Sequence, residues 1–219
     1  MKITKSRVHR ILLSAGCIAV ACIAGVSAAL LVHNTQARTN DFQFQNAKIE
    51  LTETDWDTLT DTDKIVYPQR SVKKNPIITN VGDVEVYAYI EVTVPRQEVR
   101  LVNTNEQINT ASWQNLFSFV TNSGWEQIGS DEVSTDNTSI KRTYAYTLEP
   151  LKPGESTPSL FDTIQFANIV EGDVPMGTKL QVNVEGVAIQ SQFLDEEGDT
   201  QKDKMEDAYK KYFQERERT

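Results

Sequence analysis

Residues 84–94, VEVYAYIEVTV, decide the fold class. Val84, Val86, Ala88, Ile90, Val92 and Val94 fall on one side of an extended chain, and Glu85, Tyr87, Tyr89, Glu91 and Thr93 on the other. A period of two sustained this long belongs to a half-buried β-strand and not to a helix. Pro95 is expected to end it, because proline has no N–H to give to a ladder.

Working outward, the pattern repeats in shorter pieces. Phe42–Leu51 alternates, with Phe42, Phe44, Ile49 and Leu51 facing inward. Ile65–Tyr67, closed by Pro68, and Asn75–Val81 read as short strands, whereas residues 96–116 are polar and carry no clear period. Leu116–Val120 and Trp125–Ile128 flank an Asn-Ser-Gly turn, Ser130–Ser139 reads as a polar loop, and Ile140–Leu148 as a strand. Leu160–Ala167 fits either a helix or a strand. In Leu180–Gln190 the apolar set slips by one residue near Gly186, which predicts a β-bulge. Pro153-Gly154 reads as a type II turn, since proline fixes φ at one position and glycine permits φ > 0 at the next. Many short strands between turn clusters indicate a mainly β protein, a β-sandwich with short helices.

The ends differ from this body. From Lys202 onward, Met205, Ala208, Tyr209, Tyr212 and Phe213 recur at helical spacing among charges, which predicts a C-terminal amphipathic helix. Its stripe packs on the sandwich or offers a contact to a neighbouring subunit. At the other end, Lys2, Lys5, Arg7 and Arg10 precede an uncharged run from Ile11 to Val32. A basic stub, an apolar stretch and then small residues form the layout of an export signal, with a retained membrane anchor as the alternative. Small residues suit a signal-peptidase cut after Ala29 (Ser27-Ala28-Ala29) or after Ala37 (Thr35-Gln36-Ala37). The expected organisation is a signal over 1–37, a β-sandwich over 38–194, and an acidic break with the helix over 195–219.

Losing residues 1–37 removes four of the 22 basic residues and none of the 31 acidic ones, leaving a net charge of −13. Such a chain repels nucleic acid, and no basic patch with interleaved aromatics is present, so no nucleic-acid partner is expected. Cys17, Cys22, His9 and His33 all precede Ala37. A body without cysteine or histidine cannot form disulfides, Cys/His zinc sites, or Ser-His and Cys-His catalytic pairs. No cofactor is expected. Calcium is the one ion considered, at the acidic loops Asp55/Asp57/Asp61/Asp63 and Asp195/Glu196/Glu197/Asp199, neither of which has EF-hand spacing. Trp56, Trp113 and Trp125 serve either as core residues or as a sugar-binding face. Asn137-Thr138-Ser139 matches a glycosylation acceptor, a pattern frequent by chance.

Several segments in order resemble the TasA/camelysin family, exported matrix proteins of Gram-positive bacteria processed by a SipW-type signal peptidase. They are Gly25-Val26-Ser27-Ala28-Ala29 with Thr39-Asn40-Asp41-Phe42 soon after, the stretch VKKNPIITNVGDVEVYAY over 72–89, Leu148-Glu149-Pro150-Leu151-Lys152-Pro153-Gly154-Glu155-Ser156-Thr157 with Leu160-Phe161, and the closing strand from Val184 with Asp207-Ala208-Tyr209. The resemblance implies a jelly-roll sandwich, a cut after Ala29, and assembly into extracellular or cell-surface fibres of a biofilm matrix, alone or with other matrix proteins. It also implies that an N-terminal strand, here within residues 30–50 with Phe42, Phe44 and Ile49 inserting, completes the sheet of the next subunit. The alternative is that this stretch is the first strand of its own domain. The camelysin branch is described as a metalloprotease, but this chain has no His-Glu-x-x-His and no histidine in its body to bind zinc. A monomeric secreted binding module is the second functional expectation.

Overall fold

The computed structural model describes residues 46–214. Chain contacts separate residues 1–43 from residues 44–219, and the second unit holds all of the described residues. The cleavage positions Ala29 and Ala37, and Phe42 and Phe44, lie outside the described residues.

Two layers of antiparallel strand enclose one apolar core. The larger sheet runs β10 (Asn183–Gln190), β4 (Val86–Val99), β8 (Ser139–Tyr146) and β7 (Trp125–Val133), and β5 (Ser112–Asn115) pairs with the far end of β4. The other layer holds β1 (Ile49–Thr52) beside β3 (Ile77–Asn80), and β2 (Ser71–Lys73) beside β9 (Thr163–Phe166) and β6 (Phe117–Ser118). These two small sheets are joined by backbone hydrogen bonds: Thr157 N–H to Ile78 O (2.9 Å), Leu160 N–H to Pro76 O (2.9 Å) and Lys74 N–H to Asp162 O (3.1 Å). One antiparallel ladder therefore runs from Asn80 down to Ser71 against the chain from Gly154 to Gln165. From seam to seam the layers read β1, β3/β2, β9, β6 and β7, β8, β4, β10, the strand succession of a jelly roll. The mainly β, jelly-roll-like sandwich expected from the sequence is what forms.

The core between the layers takes one side of each strand, as the period-two pattern requires. Val86, Ala88, Ile90, Val92 and Val94 of β4 meet Val72, Ile78, Phe161, Ile164 and Phe166 from the other layer. The turn at Pro153-Gly154 forms as read: Gly154 has φ 82°, and Glu155 N–H bonds Lys152 O at 3.0 Å. Within Leu160–Ala167, Thr163–Phe166 forms a strand, β9.

Several expectations are corrected. β4 continues through Pro95 to Val99, because the strand changes partner there: Pro95 lies opposite Ser139, its carbonyl accepts the Leu116 N–H (2.9 Å), and Arg96–Val99 pair with β5. Ile65–Tyr67 forms no strand, and Ile65 and Tyr67 stay exposed. Only Phe117–Ser118 of Leu116–Val120 is in a strand. Ser130–Ser139 is mostly hairpin, since β7 reaches Val133 and β8 starts at Ser139. The expected bulge at Gly186 is absent: β10 pairs with β4 in unbroken register from Asn183↔Thr93 to Gln190↔Val86. The slip in its pattern arises because Val184 packs on the inner core whereas Val187 and Ile189 face a second one.

That second core lies on the outer side of the large sheet. Helix α2 (Gln201–Tyr209), continued by one π turn over Lys210–Gln214, places Met205, Ala208 and Tyr209 on Tyr87, Tyr89, Ile128, Ala145, Val187 and Ile189. Thr200 and Asp203 form a reciprocal capping box at its start. Tyr212, expected on the packed stripe, is instead exposed, and its hydroxyl accepts the Asp195 N–H at 2.9 Å. A four-residue helix α1 (Thr54–Asp57) comes directly after β1.

Candidate functional site: an open cleft beside a bare strand edge

The sheet has two edges, and they are treated differently. β7 is guarded. Its register breaks between Ile128 and Glu132, and its side chains are tied back to β8 by Asp131–Arg142 (2.8 Å) and Glu132–Lys141 (3.3 Å). The Arg142 guanidinium holds the Asp131 carboxyl below the usual carboxylate range. Bulges and edge charges of this kind discourage strand addition. At the other edge, among the described residues, β10 pairs with β4 and with no second strand. β1 approaches β10 without pairing. A Cβ on Gly186 would lie 3.0 Å from Ile49 Cδ1 and 3.6 Å from Leu51 Cβ, so glycine is what lets β1 sit this close.

Beyond that contact the seam opens into a cleft of about 1480 Å³. One wall is the chain from Glu53 to Pro68, and the other runs from Glu171 to Glu185. Its floor is apolar, with Val72, Phe117, Ile164 and Phe166 belonging to the inner core. Trp56 stands on the first wall with the ammonium groups of Lys64 and Lys74 each 4.8 Å from its ring centroid. Lys74, only 4% exposed, is paired with Glu53 at 2.5 Å. The other Glu53 oxygen, Oε1, is buried without a hydrogen-bond partner. The second wall is pinned at its start. Asp173 accepts from the Arg100 backbone N–H (2.7 Å) and from its guanidinium (2.6 Å), which lowers the Asp173 pKa and raises that of Arg100. After that anchor, Met176 projects fully into solvent at the rim.

The residues singled out from sequence are dispersed over the fold. Ile49 is half-buried in β1, opposite Asn80 of its own chain, and packs on the inner core. Trp125 is buried, with its indole N–H on Pro158 O (3.0 Å), Trp56 lines the cleft, and Trp113 sits at the surface of β5. The acidic loops do not converge. Asp63 accepts from Thr60 (2.6 Å), Glu196 accepts from Tyr87 (3.1 Å), and no group of three metal-ligating side chains is found among the described residues. Nothing in the sequence pointed to the cleft, because its walls come from segments more than a hundred positions apart.

Such an arrangement offers backbone donors and acceptors along one rim and apolar surface below them. It suits an extended chain whose alternate side chains point down. No family model, curated protein or solved structure matches this chain. The functional reading therefore rests on its own residues.

Proposed function

We propose that this protein is an exported structural protein whose copies join into extracellular fibres, an extended N-terminal segment of one copy pairing with the β10 edge of the next. The edge of β10, without a second partner strand among the described residues and beside an apolar cleft, is the observation that supports this most. An added strand would satisfy the edge's backbone groups, and its alternating apolar side chains would rest on the apolar floor of the cleft. The sequence Asp41-Phe42-Gln43-Phe44-Gln45 has that alternation. Export is inferred from the basic and apolar start of the chain, and removal of the signal would free the segment. The likeness to the TasA/camelysin pattern points the same way.

Electron microscopy of the secreted protein tests this. Filaments are expected, and a chain lacking residues 30–44 should stay monomeric; filaments from that deletion would rule out the donor role. A second reading is favoured by Trp56 in the cleft wall: a monomeric surface module holding a foreign extended polymer. Persistent monomers of the secreted protein at high concentration would favour it.

A further inference from the structure

The chain turns away from β10 in an unusual manner. Ser191 makes the last sheet bond, its N–H to Glu85 O at 3.0 Å. Two residues later Phe193 has φ 62°, in the left-handed region, and its side chain is 96% exposed. That region is unfavourable for a bulky side chain, and an exposed phenylalanine gains nothing from burial there. The pattern of β10 makes the departure more telling. Val187 and Ile189 lie on the outer apolar face, and in a chain continued straight, Phe193 would fall on that same side. The strand signal thus runs on past the point where the backbone turns.

The segment after the turn is braced as one piece. Asp195 N–H bonds the Tyr212 hydroxyl (2.9 Å), Lys211 bonds Asp195 O (2.7 Å), and Glu197 N–H bonds Asp207 (2.8 Å). This piece is fastened to the sheet by side chains: Tyr89 hydroxyl to Met205 O (2.9 Å), Tyr209 hydroxyl to Glu91 (2.5 Å), and Lys202 to Glu126 (3.7 Å). The strand before it meets this piece through the apolar side chains of Val187 and Ile189 and runs into it through residues 191–193.

The geometry points to exchange of the C-terminal helix between two copies of this chain, with residues 191–193 as the hinge and the outer face of the large sheet as the acceptor. Opening the hinge releases the left-handed conformation at Phe193 and lets β10 lengthen. The vacated face then receives the identical helix of a second copy, whose complementarity is already built. In the exchanged pair the two lengthened strands run side by side, and each Phe193 gains a covered position on the apolar face. This joint lies at the other end of the chain from the N-terminal segment and does not depend on it.

The test uses Lys202 and Glu126, a pair that a carbodiimide can join. Equal amounts of unlabelled and 15N-labelled full chain are unfolded together, refolded at high concentration, cross-linked and digested. A Lys202–Glu126 peptide of mixed isotope reports exchange. The wild type should give a mixed fraction that rises with concentration. Phe193→Gly, which accepts the turn without strain, should lower it. Phe193→Pro, which forbids φ 62°, should bring it to about half, the random value for an exchanged pair. Cross-links of like isotope only, in wild type and Phe193→Pro at the highest concentration, would overturn the proposal. If Phe193→Pro does not fold, the order of wild type over Phe193→Gly decides, and equal fractions would overturn it. Pairing through the N-terminal segment changes neither fraction, because both cross-linked residues lie outside it.

Discussion

The two faces of β4 are both buried, yet by different chemistry. The inner face is aliphatic: Val86, Ala88, Ile90, Val92 and Val94 pack against the opposite layer with no polar group among them. The outer face carries Tyr87, Tyr89 and Glu91, and each is hydrogen-bonded to what covers it. Glu91 accepts from Tyr209 (2.5 Å) and from Lys141 (2.9 Å) on the same oxygen. Burial pushes the Tyr209 hydroxyl pKa up, and the Glu91 carboxylate adds to this. For Lys141, burial opposes the charge, but Glu91 and Glu132 outweigh it and raise the pKa. Shape and area hold the inner layer, whereas a short helix pinned by directed bonds holds the outer one. Such a helix is marginal on its own and borrows its order from the sheet.

The sharpest way to break this contrast is to cut the inner face. Ile90→Ala should cost roughly 2–5 kcal/mol, because the opposing layers cannot collapse into the space left behind. Urea unfolding of the full chain reads this as one transition at lower midpoint. On the outer face, Tyr209→Phe keeps the ring against Tyr89 but leaves Glu91 short of a partner. A cost of about 1–3 kcal/mol is expected. Amide exchange should quicken over residues 201–213 well before it quickens in β4.

Acid should separate the faces without any substitution. Thr200 holds the Asp203 carboxyl below its ordinary range, Lys210 does so for Glu206, and the Glu197 N–H and Lys211 do so for Asp207. A lowered pKa gives stability that is present above the unfolded value, about 4 for these acids, and is lost as pH falls through the folded value. Below about pH 4 the helix should therefore loosen first, while the inner face of β4, which carries no titratable side chain, stays packed. Helix and sheet exchange rates measured over one pH series check this order. The smallest effect concerns the seam. Gly186→Ala places a methyl 3.0 Å from the tip of Ile49, a flexible group. A loss of about 1 kcal/mol, the low end for overpacking, is expected and is read as a small drop of the thermal midpoint.

The same contrast explains what could be read in the sequence. β4 was legible because its inner face alternates cleanly. Its outer face looked like a half-polar surface, since tyrosine and glutamate read as exposed until a covering helix is known. In β10 the slip at Gly186 was a true signal with a different cause, two cores drawing on opposite sides of one strand. β2 (Ser71-Val72-Lys73) and β5 (Ser112-Trp113-Gln114-Asn115) were missed because each is a strand through its partner and carries almost no pattern of its own. Ile65–Tyr67 erred the other way, with strand-like residues that find no partner strand among the described residues. The cleft could not be read at all, because no local pattern records that residues 53–68 and 171–185 face each other.

Fibre assembly through the β10 edge makes one claim that hydrogen exchange can read directly. Exchange of the β10 amides, residues 183–190, is compared between the secreted protein as monomer and as filament. A new strand on that edge should slow the amides that do not point toward β4, while β7 on the guarded edge stays unchanged. If β10 exchanges alike in both states, or if β7 slows instead, the account of assembly is wrong.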